Sequence, residues 1–268
     1  MLHWNAEGVR NKKLELQVLL KERNIDVCCI QETHLNSSHR FSIRGYDTFR
    51  RDRKNRPKGG ILAHVKNTHA AAELNRSEDE DTEVLGIKLL LDKNPLTIYN
   101  LYPPPNKQLR PQVFQSDPDR WIIMGDFNSH SPSWGYDDLD HKGDEVEDWI
   151  ITHNMVLINK ADDPPTFYSR AWRSTSCPEL AIATDDVAKI NSREVDKQLG
   201  ESDHKSIFLT IECQKTPPEI YQSPSWNFKK ANWEVFKKLT GENCKNIKGS
   251  SLCQNELPSC LSVSCVSN

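Results

Sequence analysis

Ile25-Asp26-Val27-Cys28-Cys29-Ile30-Gln31-Glu32-Thr33-His34 is the run that sets the class of fold. Its first six residues form a nearly continuous apolar stretch, which suits a strand covered on both faces rather than one lying half in water. Adjacent side chains of a strand point to opposite faces, so Cys28 and Cys29 are expected to enter two different apolar layers. An acid, Glu32, follows where the strand stops. Working outward, Leu2 to Asn5 reads as a short strand. Asn11 is expected to cap a helix through Arg23, with Leu14, Val18 and Leu19 on one face and Leu16 and Leu20 widening it. Downstream, strands are expected over Gly60–Val65, Val84–Leu91, Leu96–Tyr102, Trp121–Gly125, Leu180–Thr184 and Ser206–Ile211. Glu145–His153 reads as a second helix with Val146, Trp149 and Ile150 on one side, and Trp121 and Trp149 are assigned to the core. Glu78–Asp81 reads as a solvated hairpin turn. Many strands with few helices point to a layered α/β or α+β sandwich.

Composition limits the remaining choices. The chain has 268 residues, of which 36% are hydrophobic and 27% charged, with a net charge of −3. No stretch approaches the ~18 apolar residues of a membrane span, and Met1-Leu2-His3-Trp4 is followed by no apolar signal region. An intracellular protein is therefore expected. The eight cysteines have no CxxC pair and no histidine at zinc-ligand spacing, and read as free thiols in a reducing compartment. Glycine-rich phosphate signatures are absent. Residues 1–213 read as one domain. Thr216-Pro217-Pro218 opens a linker, and residues 214–248 include a short helix within Trp226–Leu239, capped by Asn232 and stopped by Gly241. Residues 249–268, rich in Ser, Cys and Asn without periodicity, read as disordered or as a fragment cut short of its natural continuation.

Five places share one feature: a strand ends or begins beside an acid, amide or imidazole. They are Asn5 with Glu7, Glu32 after Ile30, Asp126 and Asn128 after Met124, Glu179 before Leu180, and Asp203 with His204 before Ile207. Strand ends on one rim of a layered sheet protein converge on a crevice where ligands sit. Carboxylates gathered there would repel one another and lose hydration unless a cation neutralised them. A divalent metal with oxygen ligands is expected, Mg²⁺ first and Mn²⁺ second.

In this order, Trp4-Asn5-Ala6-Glu7-Gly8-Val9-Arg10, Gln31-Glu32-Thr33-His34, Tyr102-Pro103-Pro104, Gly125-Asp126-Phe127-Asn128 and Ser202-Asp203-His204 resemble the endonuclease/exonuclease/phosphatase superfamily. More narrowly, Asn100-Leu101-Tyr102-Pro103-Pro104-Pro105-Asn106, Ser131-Pro132-Ser133-Trp134-Gly135, Pro165-Thr166-Phe167 and Trp226-Asn227-Phe228-Lys229-Lys230 resemble the N-terminal endonuclease of a jockey-type non-LTR retrotransposon polyprotein. The resemblance covers residues 1–240 and implies a four-layer α/β sandwich, two packed mixed β-sheets flanked by helices. It further implies Mg²⁺-dependent nicking of one DNA strand to leave a 3′-hydroxyl that primes reverse transcription. That work belongs in the nucleus and needs no small-molecule cofactor and no membrane. In this likeness Glu32 is the principal metal ligand, Glu7 and Asp203 are further or water-bridged ligands, and Asp126 is the general base. Asn128 and Asn5 donate amide hydrogen bonds, Tyr102 gives a hydroxyl to a phosphate oxygen, and His204 puts a cation on the scissile phosphate.

Two departures bear on activity. Relatives carry Asp where Glu179 stands to hold the imidazole. The extra methylene, roughly 1.5 Å, threatens the alignment, since a misplacement of ~1 Å costs on the order of 10²-fold. On that reading Glu179→Asp raises the rate. Met1 also lies just before the strand that delivers Asn5, and so short a strand is prone to fray. Rival readings are therefore an inactive remnant that binds nucleic acid, or a superfamily member acting on another phosphodiester or phosphate such as an inositol phosphate. For nucleic acid itself, Arg40, Arg44, Arg50, Arg51, Arg53, Lys54, Arg56 and Lys58 form a basic run, of which Arg50 to Lys58 also resembles a nuclear localisation patch. Trp172 and Arg173, with Tyr168 nearby, lead into Glu179 and offer an aromatic that can stack on a base. His130 is assigned no catalytic role, and His64 and His69 read as ordinary surface or strand residues.

Overall fold

The computed structural model describes residues 1–53, 58–74, 82–91, 94–105, 107, 120–197, 200–211 and 232–245. The expected turn at Glu78–Asp81, the basic residues Lys54 and Arg56, the linker at Pro217 and the 249–268 tail lie outside them. The chain divides into two compact units, Met1–Thr216 and Pro217–Asn268.

The first unit is built on two six-stranded mixed sheets. In chain order its strands are β1 (Leu2–Asn5), β2 (Val27–Gln31), β3 (Tyr46–Arg51), β4 (Ile61–Lys66), β5 (Ala71–Glu73), β6 (Glu83–Leu89) and β7 (Leu96–Tyr102), followed by β8 (Trp121–Asp126), β9 (Val156–Leu157), β10 (Phe167–Ser169), β11 (Ser174–Ser176), β12 (Glu179–Ala183), β13 (Ile190–Val195) and β14 (Ile207–Ile211). One sheet runs β13-β14-β1-β2-β4-β3 and the other β5-β6-β7-β8-β12-β9, while β10 and β11 form a separate hairpin. Among the described residues, parallel pairing is confined to β1 with β2 and β7 with β8. Helices α1 (Lys13–Glu22), α2 (His141–Thr152) and α3 (Asp185–Ala188) complete the unit.

Apolar alternation explains the layering. Val27, Cys29, Ile61, Leu85, Ile98 and Ile122 pack between the sheets. Leu2, Cys28 and Ile30 point the other way and meet Leu16 and Leu20 of α1. Tyr99, Trp121 and Ile123 cover the second sheet's outer face with Val146 and Trp149 of α2. The result is helix, sheet, sheet, helix. The adjacent cysteines do enter separate layers, and Cys28, Cys29 and Cys177 are buried free thiols. Trp121 and Trp149 are core residues in an edge-to-face pair at 5.6 Å.

Several local expectations change. Asn11 does not cap α1: Lys12 holds the N-cap position without a side-chain bond. The buried stripe is Leu16 and Leu20, while Leu14 is 77% and Val18 53% exposed. Five aliphatic residues in seven positions span more than one helix face, so periodicity alone could not choose the side. Helix α2 starts four residues earlier than its apolar pattern, because the Asp140 side chain accepts from the Gly143 amide. The short strands β3, β5, β9, β10, β11 and β13 carry too few apolar residues to announce themselves. β1 does not sit at a fraying edge: it pairs with β2 on one side and β14 on the other, and all four residues are buried. In the second unit Asn232 does cap a helix, α4 (Trp233–Lys245), its Oδ1 accepting from Val235 N at 3.1 Å. That helix runs through Gly241, because nothing crowds that position and an isolated glycine costs only ~1 kcal/mol.

Candidate active site

Strand direction brings the chemistry to one rim. β1, β2, β7 and β8 all end there, and β12 and β14 run antiparallel to β8 and β1, so their starts lie at the same rim. Glu179 pairs directly opposite Asp126, which puts both side chains on one face of the sheet. Gly125 is required beside them, because a Cβ there would lie 2.0 Å from the Leu101 carbonyl oxygen.

Asn5 is the bridge. Its Nδ2 donates to Glu32 Oε1 at 3.0 Å and to Asp126 Oδ2 at 2.9 Å. The Tyr102 hydroxyl also donates to Glu32 Oε1, at 2.8 Å, and His34 Nε2 stands 3.3 Å from Oε2. Burial opposes ionisation of Glu32, yet the bonds from Asn5, Tyr102 and His34 outweigh it and hold the carboxyl below its usual range. Tyr102 is pushed up by burial and by Glu32, so its hydroxyl keeps its proton. Asp126 accepts from Asn128 N at 3.0 Å, and the Asn128 amide donates to Pro103 O at 3.1 Å. Burial raises Asp126 to about 7.

His204 faces this group from the other side. Its Nδ1 bonds Glu179, whose second oxygen accepts from Thr166. Burial works against a charged imidazole, but the Glu179 carboxylate overrides it and raises His204 to about 9. The longer arm of Glu179 is therefore accommodated, with Thr166 holding its far oxygen. Ser202 fixes the preceding turn, donating to Asn5 O at 2.8 Å and accepting from His204 N at 3.1 Å. Glu7, Glu32 and Asn128 all adopt left-handed backbone, with φ of 44°, 48° and 48°. Three strained residues around one rim are of the kind that surrounding structure holds for function.

Among the described residues, the one group of three metal-ligating side chains whose atoms lie within 4.8 Å of one another is Asp126, Glu179 and His204. Glu7 and Asp203 do not close on Glu32 in such a trio. The Glu7 side chain is exposed, and Asp203 Oδ1 lies 3.6 Å from His204 Nε2. Glu179 is committed to His204 and Thr166, and a protonated imidazole is no ligand. Glu32 remains as the ionised, partly exposed oxygen donor that suits a hard cation keeping most of its own waters.

The expected nucleic-acid residues divide. Arg50 donates to His39 O at 2.8 Å and pairs with Asp52 at 3.0 Å, Arg51 pairs with Glu73 at 3.1 Å, and Arg53 bonds Glu83. These cations hold β3 and its loops in place. Trp172 is 85% exposed at the tip of the β10–β11 hairpin, with Arg173 beside it at φ 51°. Phe167 at the hairpin's base bridges to His204 and packs on its ring at 4.6 Å. His130 stacks on Tyr136 at 4.1 Å. His64 is a buried strand residue, driven down to about 4 by burial.

Thr166, His34, Ser202 and Asn100 carry contacts that sequence reasoning did not assign. Asn100 donates to Ile30 O and Leu62 O, tying the two sheets beneath the site at 3.0 and 2.8 Å. All four lie inside motifs already quoted, which was the available signal.

The family described as endonuclease-reverse transcriptase matches residues 96–208. The chain is 22% identical over 228 residues to a probable RNA-directed DNA polymerase from transposon BS of Drosophila melanogaster, covering 81% of this chain and 24% of that protein. It thus spans about a quarter of the length of the curated relatives it matches. The endonuclease domain of TRAS1, a telomere-specific non-LTR retrotransposon, superposes with a TM-score of 0.69 at 21% identity, covering 80% of this chain and 98% of that one. The AP endonuclease LMAP from Leishmania major gives 0.62 at 16%, covering 79% and 87%. The chain is thus similar over residues 96–208 to the endonuclease-reverse transcriptase family and has the two-sheet sandwich fold of these endonucleases. In sequence it is similar to transposon RNA-directed DNA polymerases of Drosophila melanogaster, and in fold to the TRAS1 endonuclease domain. Among the described residues no helix is long and apolar enough to cross a membrane.

Proposed function

We propose that this chain is the endonuclease domain of a non-LTR retrotransposon protein. In this reading it hydrolyses one phosphodiester bond of a DNA target and leaves a 3′-hydroxyl from which reverse transcription starts, in the nucleus. The observation that carries the proposal is the Asn5 amide joining Glu32 to Asp126, with the His204–Glu179 pair facing Asp126 across the same rim.

Hydrolysis needs a base for the attacking water, a countercharge for the phosphoryl oxygens and a means of orienting both. Asp126, raised to about 7, accepts the water's proton at neutral pH. His204, raised to about 9, is a cation under the same conditions and stabilises charge developing on the phosphoryl group. Asn128 keeps a second amide hydrogen for the phosphate, Tyr102 turns its one hydroxyl hydrogen from Glu32 to a phosphoryl oxygen when substrate binds, and Asn5 keeps Glu32 and Asp126 in register. Glu32, with Glu7 and Asp203 as outer or water-bridged partners, would hold Mg²⁺ or Mn²⁺. That ion supplies Lewis-acid stabilisation of the phosphoryl and leaving oxygens. Trp172 and Arg173 reach outward to contact the DNA beside the cleaved bond, by stacking and by charge.

The test uses supercoiled plasmid with Mg²⁺, followed by primer extension from the nicks with a DNA polymerase and no phosphatase. Open-circle product extended directly supports the proposal. Release of phosphate from a soluble inositol phosphate with no nicking would instead assign the site to another superfamily chemistry.

A further inference from the structure

Lys12 has no part in the chemistry above, yet it is only 7% exposed, a burial that lysine rarely accepts without a purpose. It stands at the N-cap of α1, and its side chain folds back towards β1. The ammonium donates to the Ala6 carbonyl and to the Glu7 carbonyl at 3.5 Å, and it lies 5.6 Å from the centre of the Trp4 ring. Main-chain oxygens thus receive a charge that elsewhere would stay in water, and a desolvated ammonium is tolerated only where such acceptors are fixed.

Those two carbonyls belong to the turn through Glu7 and Gly8, whose φ values of 44° and 93° are both left-handed. Glu7 is not a residue that adopts this conformation freely, so outside contacts must impose it. The same turn aims the Glu7 amide at Asn5 Oδ1, 3.2 Å away. A carboxamide has an accepting end and a donating end of almost equal shape. With Oδ1 held by Glu7, the NH₂ end must face Glu32 and Asp126, as observed.

We propose that Lys12 is a positioning residue: by clamping the Ala6 and Glu7 carbonyls it fixes the Asn5 carboxamide that joins Glu32 to Asp126. It touches no reacting atom. The kinetic consequence rests on the endonuclease reading; the structural consequence does not.

The full chain carrying Lys12→Met keeps the bulk of the stem and loses the donors. Its kcat for plasmid nicking is expected to fall about tenfold, since small misplacements at a reacting centre cost up to ~10²-fold. KM is expected to change less than roughly twofold, because no ground-state contact is removed. On an Asn5→Ala background the same substitution should change kcat less than roughly twofold, the group it positions being absent. The side-chain amide resonances of Asn5 should shift or broaden in Lys12→Met while those of Asn100 stay put, and Lys12→Arg should restore them. A kcat loss of the same size with and without Asn5, or unmoved Asn5 resonances, overturns the proposal. If the parent cleaves no DNA, the endonuclease reading fails and the resonances alone decide the role of Lys12. If Lys12→Met does not fold, Lys12→Gln is read by the same resonances.

Discussion

Asp126 and His204 are shifted upward by different agents, and the difference can be measured. Burial raises the Asp126 carboxyl to about 7, while the neighbouring Glu179 carboxylate overcomes burial to raise the imidazole to about 9. The base must be ionised and the imidazole protonated, so kcat/KM is expected to climb through about pH 7 and fall through about pH 9, both apparent values belonging to the cluster. Glu179→Gln removes the largest raising charge and leaves only Asp126 and Asp203 to oppose burial, so the falling limb should move to lower pH. A falling limb that stays in place would assign it to another group. Glu179→Asp should also slow nicking, contrary to the expectation from sequence, because a shorter arm cannot span Thr166 and the imidazole together; a faster variant would restore the view of Glu179 as a strained substitute. At this scale the sequence makes legible which residues meet when they sit at strand ends within motifs: Asn5, Glu32, Asp126 and His204 do come to one rim. The sequence is silent on Thr166, whose contact with Glu179 depends on a chain meeting that no local pattern announces.

Among the elements, the β10–β11 hairpin is the one that reaches from the site into solvent. Its base is fastened by Tyr168 N to Asp203 O at 2.8 Å and Lys205 N to Thr166 O at 2.7 Å, while its tip presents Trp172. Base-on-aromatic stacking contributes about 1–3 kcal/mol, so Trp172→Ala should raise KM for plasmid about tenfold. Its melting temperature should match the parent's, because a side chain so exposed buries no core area. An unchanged KM would remove Trp172 from the DNA interface. The basic run at 39–60 shows why elements were harder to read than residues. Tyr46–Arg51 within it is strand β3, whose Arg50 and Arg51 pair with Asp52 and Glu73. Arg51 and Arg53 find their partners, Glu73 and Glu83, 22 and 30 residues along the chain, which the run itself does not announce. In α1 the error was of face, not of type: the leucines marked a helix correctly but overspecified its buried side.

For the whole molecule, the two-sheet sandwich was legible because continuous apolar runs such as Val27–Ile30 and Trp121–Met124 demand cover on both faces. Which strands neighbour which was not, since β1 beside β14 joins opposite ends of the domain. Among the described residues, all three apolar clusters draw their members from positions up to Ile211. A chain ending at Thr216 is therefore expected to unfold cooperatively at the parent's melting temperature and to nick plasmid at the parent's rate; a non-cooperative or much lower transition would show that the second unit is needed for folding. The central claim is that the acids and imidazole gathered on one rim form a metal-assisted hydrolytic site. Its most direct test is the nicking rate of the parent beside Asp126→Asn and His204→Ala, each with Mg²⁺ or Mn²⁺ and with chelator. The account predicts nicking by the parent that chelator abolishes and that either substitution lowers by on the order of 10²-fold or more. A parent inert in both metals, or nicking that survives both substitutions, would contradict it.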